Sequence, residues 1–190
     1  MKTLILWDKE SAFYGNMNLR SQVQTTVLET GSTVETMELD GSKISPCLGC
    51  FQCWIKTPGL CIQTNDDANQ ISEREMQSDV VIFLSKITYG GYSYDLKTFL
   101  DRSIPNIAPF FELVAGESHH KMRYLRFPTM MTIGYGQSTA GERDTFISLT
   151  ERNTRNMRPL RHFAYTLETA EQFAAVLQAL QHDLANEAQL

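Results

Sequence analysis

The strongest constraint on the fold is the alternation of short apolar runs with helical patterns along the chain. The run DVVIFLS (79–85) is apolar at nearly every position, which is typical of a strand covered on both faces. Other strand patterns lie at 3–7, 33–39, 128–136 and 161–168. Because strands that alternate with helices form parallel sheets, the sequence predicts an α/β fold with five parallel strands.

Five helical patterns separate and follow these strands. They cover about 19–31, 66–77, the residues from Ser93 onwards, 141–155 and the residues from Thr169 onwards. The stretch 104–126 is the only long segment predicted to be irregular, and such segments usually carry function or cover a partner. Since no repeat or linker-like stretch interrupts the pattern, the sequence predicts a single domain over residues 1–190.

Charge and hydropathy exclude two classes of partner. The 190 residues carry a net charge of −5 with scattered Lys and Arg, so we expect no nucleic-acid partner. No apolar run reaches the roughly 18 residues of a membrane span, and the start MKTLILW lacks the architecture of a signal peptide. We therefore expect a cytoplasmic protein without a membrane partner. In that reducing compartment, clustered cysteines more often indicate metal or redox chemistry than crosslinks.

Four loops are candidates for a binding site. In an open parallel sheet, ligands bind beyond the carboxyl ends of the strands, near the point where the strand order reverses. The loops at that edge are 8–18, 40–66, 86–92 and 134–143, and all four are rich in Gly, Ser, Thr, Asn or Cys. Loops in general favour these residues, but four such loops on one edge indicate a ligand site there.

Three segments carry a resemblance to a known family. They are PCLGCFQCW (46–54), GLCIQTNDDANQI (59–71) and ITYGGYSYDLKTFLDRS (87–103). They are similar to the flavodoxin-like NADPH-dependent FMN reductase superfamily and, within it, to the iron–sulfur flavoprotein branch. The resemblance covers about residues 1–145.

This resemblance implies a three-layer sandwich with a parallel sheet of order 2-1-3-4-5 and a non-covalently bound FMN. It also implies electron transfer from NAD(P)H or a ferredoxin to a small acceptor, in a homodimer or homotetramer. No catalytic side chain is expected, because the flavin carries the chemistry and the protein positions it and tunes its potential.

The four cysteines follow the spacing C-x2-C-x2-C-x7-C. Cys47, Cys50, Cys53 and Cys61 fit the thiolate pattern of a [4Fe–4S] cluster, with three sulfurs on one short run and a fourth slightly later. Tetrahedral zinc also accepts four sulfurs, although structural zinc sites favour two separated C-x2-C pairs. Uncoordinated thiols or a redox-active pair are the third interpretation.

The loop after the first strand is where the resemblance is weakest. Relatives carry Gly-Ser-x-Arg around the FMN phosphate, whereas this chain has DKESAFYGNMN (8–18). Ser11, Gly15, Asn16 and Asn18 can still supply a hydroxyl, a turn and amide donors beside a helix start, with Lys9 as a point charge. The other interpretation is a degenerate loop that binds no phosphate.

The flavin ring is expected against the loops after the third and fourth strands. Gly90 and Gly91 allow the backbone to approach a flat ring, and amides of that turn can bond to its edge. Lys86 either approaches the flavin N1 and C2=O, where its charge would raise the redox potential of the flavin, or it is a solvated lysine at the end of the strand. The residues predicted to contact the flavin from these two loops are Lys86, Thr88, Tyr89, Gly90, Gly91, Gly136, Gln137 and Gly141. The last three, from the loop after the fourth strand, are expected to border either the dimethylbenzene end of the ring or the phosphate side.

The sequence thus predicts an FMN-dependent oxidoreductase. The alternative is a non-enzymatic flavodoxin-like module with a degenerate flavin site and a cysteine loop that senses thiols or metal. A third interpretation is an electron-transfer protein without a substrate of its own.

Overall fold

The computed structural model describes residues 1–12 and 18–188. Within these residues it has seven strands: β1 (Lys2–Asp8), β2 (Thr33–Leu39), β3 (Val80–Lys86), β4 (Ile107–Val114), β5 (Glu117–Met122), β6 (Thr129–Tyr135) and β7 (His162–Leu167). Five of them form one parallel sheet in the order β2-β1-β3-β6-β7. Counting only these five, the order is the predicted 2-1-3-4-5 of a flavodoxin-like fold.

Helices cover both faces of the sheet. They are α1 (Leu19–Glu29), α2 (Gln52–Ile55), α3 (Ala68–Met76), α4 (Tyr94–Arg102), α5 (Ala140–Met157) and α6 (Ala170–Glu187). One core packs α1 and α6 against residues such as Ile82 of β3, and the other packs α3 and α4 against its neighbour Phe83. Because successive strand residues point to opposite faces, β3 is buried from both sides, as its sequence predicts. The three-layer sandwich is therefore confirmed.

The prediction of an irregular segment over 104–126 is wrong. β4 and β5 pair as an antiparallel hairpin, preceded by a 3-10 turn at Ile104–Asn106. Its two-residue loop, Ala115 and Gly116, has φ values of 50° and 83°, which match a tight hairpin turn. The hairpin pattern is weak in the sequence because much of both its faces is exposed, so apolar and polar residues do not alternate regularly.

The helix starts that face the rim are held by side-chain caps. The Ser93 hydroxyl accepts from the Leu96 amide and caps α4, and Thr139 forms a capping box with Glu142 at α5. These caps fix the two helix starts beside the carboxyl ends of β3 and β6. Among the described residues, no helix is both long and apolar enough to cross a membrane.

Candidate functional site

A buried carboxylate joins three strand ends at the rim. Asp8, the last residue of β1, is 1% exposed. Its Oδ2 accepts from the Lys86 amide at 2.7 Å, and its Oδ1 accepts from the Tyr135 hydroxyl at 2.5 Å and the Ser11 amide at 3.0 Å. Burial raises the pKa of Asp8, and the hydrogen bonds from Tyr135 and Lys86 partly oppose that rise. Asp8 therefore fixes the ends of β1, β3 and β6 relative to one another.

A cleft of about 580 Å³ opens above this junction. Its volume lies within the usual range for small-molecule sites. Two aromatic side chains flank it, Tyr89 at 94% exposure and Tyr94 at 64%. The Tyr94 hydroxyl donates to the Gly41 carbonyl at 3.3 Å, which anchors that ring to the loop after β2. The cleft thus offers aromatic surface to a planar ligand at the predicted edge of the sheet.

The turn after β3 allows a ligand to approach its backbone closely. Thr88 and Gly91 exchange two backbone hydrogen bonds of 3.0 and 2.9 Å around Tyr89 and Gly90, whose φ values are 51° and 77°. The amides of Tyr89 and Gly90 take no part in this pair of bonds, so the turn can present them to a ligand. A Cβ on Gly90 would lie 2.9 Å from the Thr145 Cβ, so α5 also requires glycine there.

The charged side chains of the cleft are paired. The Lys86 ammonium lies 2.5 Å from a Glu10 carboxylate oxygen, both side chains being about half exposed. Among the described residues that line the cleft, Asp8, Glu10, Asp95 and Glu142 are acidic and Lys86 is the one cation. Lys86 is therefore neither an isolated solvated lysine nor an uncompensated charge. An anionic group of a ligand would be disfavoured in the cleft itself.

The predicted phosphate contacts have structural partners of their own. The Ser11 hydroxyl donates to the Asp8 carbonyl at 2.6 Å, and Asn18 caps α1 by accepting from the Ser21 amide at 3.0 Å. The Lys9 ammonium lies 2.8 Å from Asp40 and lowers the pKa of that carboxyl. The predicted contacts Gly15 and Asn16 lie outside the described residues.

An arginine that the sequence analysis missed stands beside this loop. Arg20, in the first turn of α1, places its guanidinium 4.3 Å from the ring centroid of Trp7. Its Nε is buried and has no hydrogen-bond partner among the described residues. A guanidinium group at a helix N-terminus suits a phosphate. The described residues therefore fit FMN, with aromatic and glycine contacts for the ring and Arg20 for the phosphate.

Only some of the predicted residues in the loop after β6 line the cleft. Gln137 lines the cleft, and Gly136 has a φ of 106° with its amide bonded to the Leu167 carbonyl at 3.1 Å. Gly141 lies in the first turn of α5, outside the cleft lining, and a Cβ there would meet nothing within 4 Å. Of the eight residues predicted to contact the flavin, Lys86, Thr88, Tyr89 and Gln137 line the cleft directly.

The cysteine loop brings four free thiols into one region. Cys47 and Cys50 are exposed, Cys61 is half-buried and Cys53 is buried. Burial raises the pKa of Cys53, and the charges of Cys61, Cys47 and Cys50 raise it further, so all four sulfurs interact electrostatically. The Gly49 amide donates to the Cys47 sulfur at 3.4 Å, a contact of the kind that tunes iron–sulfur clusters.

Among the described residues, no group of three or more His, Cys, Asp or Glu side chains is placed to hold a metal ion. The cluster, the zinc site and the uncoordinated thiols therefore all stay predictions for these four cysteines.

A buried ion pair holds the base of this loop. Arg102 is 1% exposed, and its guanidinium donates to both Asp66 carboxylate oxygens at 2.8 and 3.1 Å. It also donates to the carbonyls of Ser45 and Gln63, on either side of the cysteines. Burial alone would lower the pKa of Arg102, but Asp66 and the Cys61 thiol raise it, so a fixed cation stands beside the fourth cysteine.

An indole attaches the loop to the hairpin. The Trp54 Nε1 donates to the Ile107 carbonyl at 3.1 Å, and its ring stacks on Phe51 with centroids 5.0 Å apart. On the other side it contacts His120 of β5 at 5.3 Å. Thus the segment predicted to be irregular forms a wall of the cysteine region.

Comparisons with known proteins agree with this geometry. No family model matches the chain. It is 34% identical to an iron–sulfur flavoprotein of Archaeoglobus fulgidus over 93 residues, which are 48% of this chain and 41% of the relative. An iron–sulfur flavoprotein of Methanosarcina thermophila is 28% identical over 76 residues, 40% of this chain and 38% of the relative. The matches thus span about two-fifths of these curated relatives, and the predicted resemblance is confirmed.

Solved structures extend the likeness of fold to nearly the whole chain. The NAD(P)H:quinone oxidoreductase from Methanothermobacter marburgensis superimposes with a TM-score of 0.68 at 14% identity, covering 98% of this chain and 95% of that one. An FMN-dependent NADH-azoreductase from Bacillus anthracis, solved with FMN, has a TM-score of 0.61 at 13% identity. The match covers 100% of this chain and 98% of the azoreductase. At these identities the likeness establishes the flavodoxin-like fold.

Proposed function

We propose that the chain is an FMN-dependent oxidoreductase that passes electrons from NAD(P)H or a ferredoxin to a small acceptor. The observation that carries the proposal is the cleft above Asp8, flanked by Tyr89 and Tyr94 and lined by Lys86, Ile87 and Thr88 of the turn after β3. The names of the relatives, iron–sulfur flavoprotein, support both the flavin and a [4Fe–4S] cluster on Cys47, Cys50, Cys53 and Cys61. The whole chain is proposed to be a single domain.

The roles of the residues follow from their contacts. FMN, when bound, supplies the hydride and electron chemistry. Tyr89 and Tyr94 would cover its ring system, and the amides of Tyr89 and Gly90 would donate to the ring edge. Arg20 and the start of α1 would bind the phosphate, away from the carboxylates of the cleft. Because Lys86 is neutralised by Glu10, we expect it to raise the flavin potential less than an unpaired lysine would.

We also propose a homodimer or homotetramer in the cytoplasm. Apolar side chains of the hairpin and the adjoining cysteine loop are exposed, and contiguous apolar surface of this kind marks protein contacts. They include Leu48, Ile55, Phe110, Phe111 and Leu113, with exposures from 61% to 78%. Four free thiols agree with a reducing compartment.

The test is anaerobic purification followed by absorption spectra, flavin and iron analysis, and titration with NADPH. We expect flavin bands that bleach with NADPH, and about four irons per chain. Cys50→Ser should remove the iron and keep the flavin.

Arg20→Met should weaken FMN binding about tenfold and leave riboflavin binding unchanged, since riboflavin lacks the phosphate. Arg74→Met, which alters a surface arginine paired with Glu35, is the matched control.

One observation favours the non-enzymatic alternative. In the described part of the loop after β1, Ser11 and Lys9 already have partners, and the cleft is acidic. A protein that takes up no FMN would support a thiol- or metal-sensing module. Uptake of FMN without bleaching by NADPH would instead support an electron-transfer protein.

A further inference from the structure

Two adjoining cavities lie between α4, α5 and the hairpin and share no lining residue with the flavin cleft. The inner cavity, about 280 Å³, exposes mainly apolar surface, to which Phe83, Leu100 and Met130 contribute, and the ion pair of Lys97 and Asp101 also lines it. The outer cavity, about 580 Å³, lies beside the C-terminus of α5 and the hairpin turn. Thr154 and His162 line both, so the two cavities meet at these residues.

The inner cavity suits an apolar group of about one ring, since a cavity of roughly 150 Å³ already accommodates benzene. Polar groups stand at its wall. The Tyr92 hydroxyl accepts from the Asn153 amide at 3.1 Å. The His162 Nε2 is buried without a hydrogen-bond partner among the described residues. Burial lowers the pKa of His162, so this imidazole is neutral at pH 7 and can donate or accept at the junction of the cavities.

The outer cavity is basic. Arg155, Arg158 and Arg161 line it, and among its described lining residues Glu117 is the one carboxylate. Glu117 already accepts from Arg155 at 3.2 Å. Arg158 donates to Glu112, yet its Nε is buried and unpartnered among the described residues. A buried guanidinium donor without a protein acceptor indicates an acceptor that a ligand would supply.

We propose that the two cavities form one binding site for an amphipathic carboxylate. Its apolar body, about the size of one substituted ring, would fill the inner cavity, and its carboxylate would face the arginines of the outer cavity. The single charge of a carboxylate suits guanidinium groups that are already partly compensated by Glu117, Glu112 and Glu187. This site is independent of the flavin and of the proposed oxidoreductase activity.

The test is calorimetric titration of the full chain with 4-ethylbenzoate and with its neutral analogue, 4-ethylbenzyl alcohol. We expect the carboxylate to bind at least tenfold more tightly than the alcohol. Arg161→Met and Arg155→Met should each weaken carboxylate binding about tenfold and leave alcohol binding unchanged. Arg126→Met removes a surface arginine that pairs with Asp79 and lies outside both cavities. It should change the affinity for neither the carboxylate nor the alcohol.

Substitutions that fill the inner cavity test whether the apolar body of the ligand binds there. Thr132→Leu adds volume at the β6 wall and should abolish binding of both probes. Thr154→Leu, on the half-buried side of α5, serves the same purpose if Thr132→Leu does not fold. Absence of binding at millimolar carboxylate, equal affinity for the alcohol, or unchanged affinity in both arginine variants would overturn the proposal. So would full binding by a filled variant that folds normally.

Discussion

Glu75 makes stability depend on pH in an unusual direction. It lies on α3 with no exposed surface, and its Oε2 accepts from the Asn106 amide at 3.0 Å. Its Oε1 has no hydrogen-bond partner among the described residues. Burial raises its pKa from 4.5 to about 8, and the bond from Asn106 opposes that rise only in part. The folded protein therefore keeps this carboxyl group protonated at pH 7.

The direction of this pH dependence follows from the different protonation of Glu75 in the folded and unfolded chains. Above pH 4.5 the unfolded chain releases the Glu75 proton while the folded protein retains it, so the unfolded chain gains stability as pH rises towards 8. At about 1.4 kcal/mol per pH unit, the interval from 4.5 to about 8 sets an upper limit of about 5 kcal/mol. Relaxation and water entry reduce such burial penalties, so we expect about 2–4 kcal/mol at pH 9.

The perturbation is Glu75→Gln, which keeps the shape and cannot ionise. Urea unfolding at pH 4, 6, 8 and 9 should show nearly equal free energies of unfolding for variant and wild type at pH 4. The variant should gain about 2–4 kcal/mol over the wild type by pH 9. Glu73→Gln, an exposed neighbour on α3, should differ from wild type by less than about 0.5 kcal/mol throughout. A Glu75→Gln difference that stays constant from pH 4 to 9 would refute the reasoning.

Three further substitutions test individual contacts. Asp66→Asn leaves the buried guanidinium beneath the cysteine loop without its counter-charge and should cost about 3–5 kcal/mol in urea unfolding; a loss below about 1 kcal/mol would contradict this. Gly90→Ala combines a φ of 77° with a Cβ 2.9 Å from that of Thr145, so calorimetry should show a loss of about 1–3 kcal/mol. Tyr135→Phe removes the donor to buried Asp8 and should cost about 1–3 kcal/mol by urea unfolding, with unchanged stability as the opposing result.

The parallel sheet was predictable because each of its strands is a local pattern. The runs at 79–85 and 33–39 became β3 (Val80–Lys86) and β2 (Thr33–Leu39), with bounds that differ by at most one residue. Apolar strands that alternate with helices leave few topologies, since connections between parallel strands are right-handed. The four-cysteine motif was equally local, and its residues all lie between β2 and α3.

The hairpin and the supports of the site were not predictable in the same way. β4 and β5 lack a regular apolar alternation because much of both faces is exposed, and the Ala115–Gly116 turn was the one local signal. Nothing next to Arg102 in the sequence identifies Asp66 as its partner, because 36 positions separate them. Arg20 was missed because the family motif directs attention to an arginine earlier in the loop.

The amino-acid sequence by itself determined the sheet, the edge at which the candidate cleft lies and the clustering of the four cysteines, because periodicity and spacing are properties of neighbouring residues. Only the tertiary structure decided which charges are compensated. Asp8 meets Tyr135 across 127 positions, and Lys86 meets Glu10 across 76. Burial and pairing depend on side chains that the fold brings together from distant segments, and these contacts set the electrostatics of the site.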